Sequence, residues 1–551
     1  MTDRWVQQYM SWFDVFNVYN QTFSREETED MLTSGVQFCE QYLAPSNKVG
    51  DKEGLTFNPK THGVHLPDGF HVVYQHMKSM GLLSMSVAES YGGLSAPNYL
   101  TYALMECQAG ANLAFSTFPL LTQGAIDTLI HNADQAIIDR FVPHMVSGTW
   151  SGTMCLTEPQ CGTDLGLIKT MAVKDGEHYS VTGNKIWITF GEHDLTENII
   201  HLVLCKTPDA PCGTKGLSLF VVPKLIDGQP NGVQCMGLEH KMGSHASPTC
   251  VMSYNQAKGW LVGSLNNGLR AMFSMMNPAR LSVGVQGLGA AQWANEYALQ
   301  FCRDRRQGRS VNPERRESDQ VADVITVHPD VRRMLLGNQA MIEAMRGVVV
   351  MAAKALDDKN DDLVSLMTPV IKSFLSEHGC ACISQAIQVM GGAGYTQDAL
   401  VEQYLRDARI TMIYEGTNGV QAMDLVGRKL IKHGHALQDL IKKMSELSKE
   451  EGDIFKCLSS SLVHLEQAND WLMSQGFSDP ESAMAVASDY LNLLGYVMCI
   501  YVLALKVKSH GDDTIADVFI HQFGPMVGMH GARIASGKYS LFNDGNQRKY
   551  L

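Results

Sequence analysis

The feature that most constrains this chain is a double change of periodicity. From Ser24 to about Gly148 the apolar residues recur at helical spacing. Between Gly152 and about Gly263 they gather into short β-type runs, HYSVT, KIWIT, IIHLVLC, LSLFVV and TCVMSY, broken by Gly, Pro, Asn and Asp. After Gly268 the helical spacing returns. Strands that cluster in the middle, with helices before and after, exclude an alternating βαβ sheet. A chain of 551 residues also exceeds what one hydrophobic core supports, so two to four units are expected. Long helical runs at 270–304, 329–357, 361–390 and 418–433, with short connections, predict an antiparallel four-helix bundle. The expected fold class is therefore multidomain and mainly α with a central β domain, a small barrel or sandwich: 1–150 helical, 151–265 β, 266–434 a four-helix bundle, and 435–551 an additional helical domain.

Local signals refine this outline. SREE at Ser24 has the Ser-x-x-Glu form of a capping box, opening a helix that runs to about Tyr42. Gly183-Asn184, between HYSVT and KIWIT, predicts a hairpin turn and antiparallel pairing in a small barrel or sandwich. MGGAGYTQ at Met390 continues a helical run instead of following a strand, so it is not read as a dinucleotide fingerprint. The apolar stretch Leu493–Leu505 falls short of the roughly 20 residues a membrane span needs, and predicts a buried helix.

Charge and cysteine usage exclude several function classes. A formal net charge of -13 repels phosphate backbones, so nucleic acid is not an expected partner. The 13 cysteines contain no CxxC, and Cys380 and Cys382 have no matching His or Cys cluster nearby, so no metal site is expected. Free buried thiols and an amino terminus without a basic n-region or apolar h-region point to a reducing, cytoplasmic setting.

The string IYEGTNG places Glu415 between two helical stretches, DALVEQYLRDARITM and VQAMDLVGRKLIKH. A carboxylate there is either a favourable partner for a helix dipole or a base that can be aimed. On this string alone both readings stand.

Four ordered strings decide between them. MCLTEPQCGTDLG followed by KIWIT, then QVMGGAGY, then RDARIT running into IYEGT, resemble the acyl-CoA dehydrogenase family of flavoproteins over most of residues 24–433. The resemblance implies FAD between a barrel and the second helical bundle. It implies that Leu156 and Thr157 bond the pyrimidine side of the isoalloxazine, that Trp187 packs on the ring and that Thr189 reaches its N5 edge. Gly162 and Thr163 match the family's Gly-Ser and are expected at cofactor or CoA phosphate. Arg305 and Gln307, in RDRRQGR, align as ligands of the FAD pyrophosphate, a solvated basic face being the rival reading. Gln388, Gly391 and Gly392 are expected to reach the same diphosphate from a neighbouring subunit, which requires at least a dimer, a homodimer or homotetramer. Glu415 matches the catalytic glutamate that takes the Cα proton of the thioester, with its pKa raised toward neutrality by burial. Gly416 leaves room for the substrate and Thr417 touches the cofactor. Some members carry the base immediately before the arginine that matches Arg280; here that position is Ala279, so Glu415 is the sole candidate and Arg280 a CoA or active-site contact.

The chain departs from the common pattern in KMGSHASPTC, where His245 replaces an arginine, and at Gly419, where relatives carry Gln or Glu. These strings and the extra carboxy-terminal helices resemble a long-form branch that includes 3-methylmercaptopropionyl-CoA dehydrogenases. The implied reaction is α,β-dehydrogenation of a short or medium acyl-CoA, 3-methylthiopropionyl-CoA among the candidates, with electrons passed to an electron-transfer flavoprotein. An acyl-CoA oxidase using O2 stays open on sequence. A DNA-alkylation-response protein of the same fold family predicts a basic tail, and from Ala436 onward acids and bases are mixed. A non-catalytic binder would not need Glu415, Trp187 and Thr189 together.

Overall fold

The computed structural model describes residues 2–20, 22–538 and 541. The chain forms two compact units, one of Ser34–Ser282, the other of Met1–Thr33 with Val283–Leu551. Their limits fall inside two helices, Arg25–Phe38 and Gly268–Asp304.

In the first unit the helices Asp68–Ser79, Asn98–Ala111, Leu113–Asn132 and Gln135–Val146 precede the large sheet. The third starts earlier than the sequence pattern suggests: it accommodates Pro119, and the Asn112 side chain caps it by accepting the Phe115 N–H. The strands are β1 (Thr56–Asn58), β2 (Gly63–His65), β3 (Trp150–Cys155), β4 (Met171–Asp175), β5 (His178–Thr189), β6 (Asn198–Lys206), β7 (Leu217–Pro223), β8 (Leu225–Ile226), β9 (Gln229–Pro230), β10 (Val233–Leu238) and β11 (Thr249–Val262). Seven of them form one sheet in the order β10-β11-β5-β4-β6-β3, with β7 bonded to both β11 and β6. Every residue of β7, and all of β6 but its last, is buried, as expected of strands covered on both faces. Ile126, Leu129 and Phe141 from the helices share a core with Ile200, Leu202 and Val221 of the sheet.

Two sequence expectations are corrected here. The sheet is mixed and not antiparallel throughout, because β3 pairs β6 in parallel, and its pairings run β11-β5-β4-β6-β7 and from β7 back to β11. Gly183-Asn184 is no turn: both residues lie inside β5. A Cβ on Gly183 would lie 2.4 Å from Thr170 Oγ1, so this glycine answers a close approach of neighbouring backbone within a strand.

The second unit is helical. Its bundle helices are Pro329–Asp357, the run Asp361–Met390, which carries a π turn at Ile371–Leu375, and Asn418–Leu447, which carries another at Leu425–Lys429 and a kink at His433. The helical backbone from Asn418 breaks at His433 (φ -121, ψ 24), where the sequence places the end, and a further helical stretch continues to Leu447. The helices Asp453–Trp471, Ala487–His510 and Thr514–Ala535 follow. Ala487–His510 is long and apolar enough to cross a membrane, but 78% of its apolar window is buried within the fold. Ser24 and Glu27 form the capping box: Glu27 Oε2 accepts from the Ser24 N–H at 2.9 Å, and the Glu27 N–H donates to Ser24 Oγ at 3.3 Å.

The helix Thr2–Phe16 went unread in the sequence, although Trp5, Tyr9, Trp12 and Phe13 make a buried stripe at helical spacing. That stripe covers Arg346, which is fully buried. The guanidinium donates to Gln292 Oε1 at 2.7 Å, pairs with Glu343 at 3.2 Å and lies 5.2 Å from the Tyr9 ring centroid. Glu343 is shared with Lys506, so one buried cluster ties the first helix, Pro329–Asp357 and Ala487–His510 together.

Candidate active site

Each compact unit carries one group of the expected residues. In the β-containing unit, Leu156 and Thr157 leave the end of β3 alongside β5: the Ile186 N–H donates to Thr157 O at 2.9 Å, and Thr153 Oγ1 donates to Thr189 O at 2.7 Å. Against β11, Ile188 pairs with Cys250 and Lys185 with Met252, so Ile186 and Trp187 together oppose Val251 alone. This is a β-bulge, a device that bends a strand and re-aims a side chain. It sets Trp187 at φ 58 with the residue 58% exposed, while Thr189 is half-buried. A tryptophan with left-handed backbone costs about 1–3 kcal/mol and persists only where the surroundings over-determine it.

Two residues before Trp187 stands a buried ion pair that no sequence motif marks. Lys185 is fully buried, and its Nζ donates to Leu156 O at 2.8 Å and to Glu158 Oε1 at 2.9 Å. Glu158 also accepts from the Lys169 N–H, the Thr170 N–H and Thr170 Oγ1. Burial pushes the Glu158 carboxyl up, but the Lys185 charge and these donors outweigh it and hold it at about 2. The Thr-Glu-Pro segment is thereby locked to the Lys-Ile-Trp-Ile-Thr segment.

The helical unit carries Glu415. It follows the 3-10 turn Arg409–Met412 and precedes the helix opened at Asn418, as the sequence implied. Its backbone is left-handed, φ 56, and Gln421 Nε2 donates to Glu415 O at 3.0 Å. Tyr414, on one side, donates to Gln286, and burial followed by the Glu415 charge pushes its phenol well up. Thr417 caps the next helix by accepting from the Val420 N–H. Asn418 receives Lys372 Nζ at 3.0 Å and Ser376 Oγ at 3.2 Å, and donates to Ser373 O. The helix bearing Lys372 can approach because Gly379 meets Gly287: a Cβ there would lie 2.4 Å from Gly287 O. The Glu415 loop is thus pinned on both flanks by side chains that the motif does not contain.

The remaining candidates sit apart from these two clusters. Gly162 and Thr163 are exposed in a loop closed by Asp164 accepting from the Gly166 N–H. Arg280 is 9% exposed, its guanidinium 5.9 Å from the Phe273 centroid, and Ala279 beside it is buried. His245 pairs with Asp51 through Nδ1 at 2.9 Å and faces Lys241 O through Nε2 at 3.1 Å, so both ring nitrogens are engaged within the protein. Arg305 and Gln307 are exposed just beyond Gly268–Asp304, where Asp323 O accepts from the Gln307 N–H. Gln388, Gly391 and Gly392 are exposed at the end of Ser376–Met390, with nothing within 4 Å of a Cβ built on either glycine.

Comparison with known proteins agrees with this arrangement. Residues 25–149, 153–257 and 266–430 match the N-terminal, middle and C-terminal domains described for acyl-CoA dehydrogenases. A 3-methylmercaptopropionyl-CoA dehydrogenase of Ruegeria pomeroyi is 39% identical over 519 residues, 89% of this chain and 87% of that one. The chain belongs to the acyl-CoA dehydrogenase family. It is an oxidoreductase of that family, whose members are FAD flavoproteins acting on acyl-CoA. Butyryl-CoA dehydrogenase from Megasphaera elsdenii superposes with TM-score 0.63 at 25% identity, covering 75% of this chain and 99% of that one. An acyl-CoA dehydrogenase from Bacillus anthracis complexed with FAD superposes with TM-score 0.74 at 20% identity, covering 94% of this chain and 90% of that one. Some relatives of this fold are therefore a quarter shorter than this chain and others match it nearly end to end.

The residues present fit a flavin. In the β-containing unit an exposed indole on a bulge offers a wall for a flat ring, with Thr157 O bonded to the residue before it; in the helical unit the bare glycine backbone at 391–392 leaves a diphosphate room to approach.

Proposed function

We propose that the chain catalyses α,β-dehydrogenation of a short or medium acyl-CoA thioester, 3-methylthiopropionyl-CoA first among them, and passes the electrons to an electron-transfer flavoprotein. The observation that carries the reading is Glu415, a carboxylate on left-handed backbone in a loop held by Gln421, Lys372 and Ser376. The relative's name supplies the acyl group.

Leu156, Thr157, Trp187, Thr189, Arg305, Gln307 and Thr417 hold FAD, with Gln388, Gly391 and Gly392 given to a second copy of the chain in a homodimer or homotetramer. Bound FAD supplies a two-electron acceptor for the hydride that leaves Cβ. Glu415 takes the Cα proton, its carboxylate becoming a carboxylic acid as the Cα=Cβ bond forms. The Glu415 N–H polarises the thioester carbonyl, which acidifies that proton. Gly416 makes room for the acyl group, and Thr163, His245 and Arg280 contact CoA. The middle sheet, with β7 bonded to β11 and β6, serves as the barrel wall of the family. A cytoplasmic location belongs to the same reading.

The test adds butyryl-, octanoyl- and 3-methylthiopropionyl-CoA separately to the purified yellow protein without oxygen and follows the flavin absorbance. Bleaching by the methylthio thioester is expected, and Glu415→Gln should keep its colour and its ligand yet not bleach. Bleaching by none of the three, or unchanged bleaching in the variant, would overturn the proposal.

A further inference from the structure

We infer that His65, His71 and Asp194 form a binding site for a divalent metal ion of the zinc class. The three come from separate elements: the end of β2, the helix Asp68–Ser79, and the loop between β5 and β6. One ligand atom from each lies within 4.8 Å of the others. His71 Nε2 is 3.2 Å from Asp194 Oδ1. A tetrahedral ion with bonds of about 2.0–2.1 Å has ligand-to-ligand edges of about 3.3 Å, so this pair already stands at coordination spacing.

The spacing is not a hydrogen bond. His71 Nε2 is closed to solvent and has no hydrogen-bond partner. A ring nitrogen stripped of water and aimed past a carboxylate oxygen costs stability, and a cation bound by both removes that cost. His65 Nδ1 is hydrogen-bonded to the other Asp194 oxygen, a bond that the ion replaces on entering, and the two imidazoles stand with centroids 5.8 Å apart.

The surroundings are those of a metal ligand set. Asp194 Oδ1 also accepts the Leu66 N–H at 3.2 Å, which fixes the carboxylate. Asp68 Oδ1 lies 3.7 Å from His65 Nε2, the ring nitrogen turned away from the site. Two imidazoles and one carboxylate suit zinc and disfavour calcium or magnesium, which take oxygen sets. The His65 side chain is 59% exposed, so an ion can enter from solvent and keep water in a fourth position. Bound there, it fastens the segment after Thr189 to β2 and the helix behind it. No motif marks this site, since its ligands are 129 residues apart at the widest hydrogen-bonded pair.

The flavin-loaded protein, stripped with a chelator and dialysed against buffered micromolar ZnCl2 with a thiol reductant, is assayed for zinc by atomic emission. The wild type should retain one zinc per chain. Asp194→Asn and His65→Gln should each bind at least about tenfold more weakly at unchanged flavin content, and Cys212→Ser, which removes an exposed thiol, should bind as the wild type does. No zinc on the wild type, or equal zinc on both ligand variants, would overturn the inference. His65 is exposed enough that its variant folds even if Asp194→Asn does not.

Discussion

Replacing Lys185 by Met removes the charge that pins Leu156 and Glu158 while keeping a chain of similar length. Two bonds are lost, and Glu158, 3% exposed, is left as a buried carboxylate without its cation. Breaking a buried pair from one side costs about 3–5 kcal/mol. Glu158 keeps the donors from Lys169 and Thr170, which places the cost at the lower end, about 3 kcal/mol. For a unit the size of Ser34–Ser282, 1 kcal/mol moves the melting temperature by about 2–4 °C, so the loss is about 6–12 °C. Because Leu156 O loses its donor, flavin retention through gel filtration should fall in the same variant. Lys185→Met with Glu158→Gln, which removes both charges, should recover at least about 1 kcal/mol of the single loss. Melting read by circular dichroism at two wavelengths and flavin content by absorbance are sufficient. A single variant within about 1 kcal/mol of wild type, with full flavin, would show that the pair does not hold the Thr-Glu-Pro segment and would refute the argument.

Three further outcomes are expected. Burial pushes the Asp127 carboxyl up to about 6, so the native state holds a proton that the unfolded chain releases near pH 4; stability contributed by that proton is lost as pH rises from about 4 through 6, and Asp127→Asn should raise the melting temperature most at pH 8, by about half as much at pH 5 and hardly at all below about pH 4. His193 and His201 are held neutral by burial, each down at about 3, so unfolding takes up two protons below pH 6.5; the unfolding free energy from urea titrations should fall by about 4 kcal/mol from pH 7 to pH 5, its slope approaching about 2.7 kcal/mol per unit at the acid end, and an unchanged free energy would contradict this. Gly379→Val should lower the melting temperature by the overpacking cost of about 1–3 kcal/mol and slow flavin bleaching, because Gly287 O stands where the first methyl would go.

The parts legible in sequence were those written contiguously. Glu415 sits within a run whose neighbours fix its place between two helices, and the bundle helices announce themselves by spacing. What depends on a distant partner was not legible. Trp187 owes its exposure to a bulge that exists only against β11, and Gly183-Asn184 has the chemistry of a turn but lies in a strand because Thr170 comes close. Lys185 stands in a β-type run with nothing local to mark it, and it is fully buried against Glu158, 27 residues earlier. The His65, His71 and Asp194 group follows the same rule. The helix Thr2–Phe16 is different: its stripe was readable, and only its destination was not.

That destination governs the order in which the molecule can be made. Ser11 Oγ meets His510 Nε2 at 3.5 Å across 499 residues of chain. At a ribosomal pace of about 5–20 residues per second, the leading helix waits about 25 to 100 s for the helix it meets. Ser34–Ser282 is one uninterrupted stretch and can close in that interval, whereas the aromatic stripe of the leading helix must stay in water or in the hands of a chaperone. Fragments released before Pro329–Asp357 emerges therefore carry Trp5, Tyr9 and Trp12 uncovered, those released before Ala487–His510 carry them half-covered, and such fragments are the ones the cell has most reason to capture.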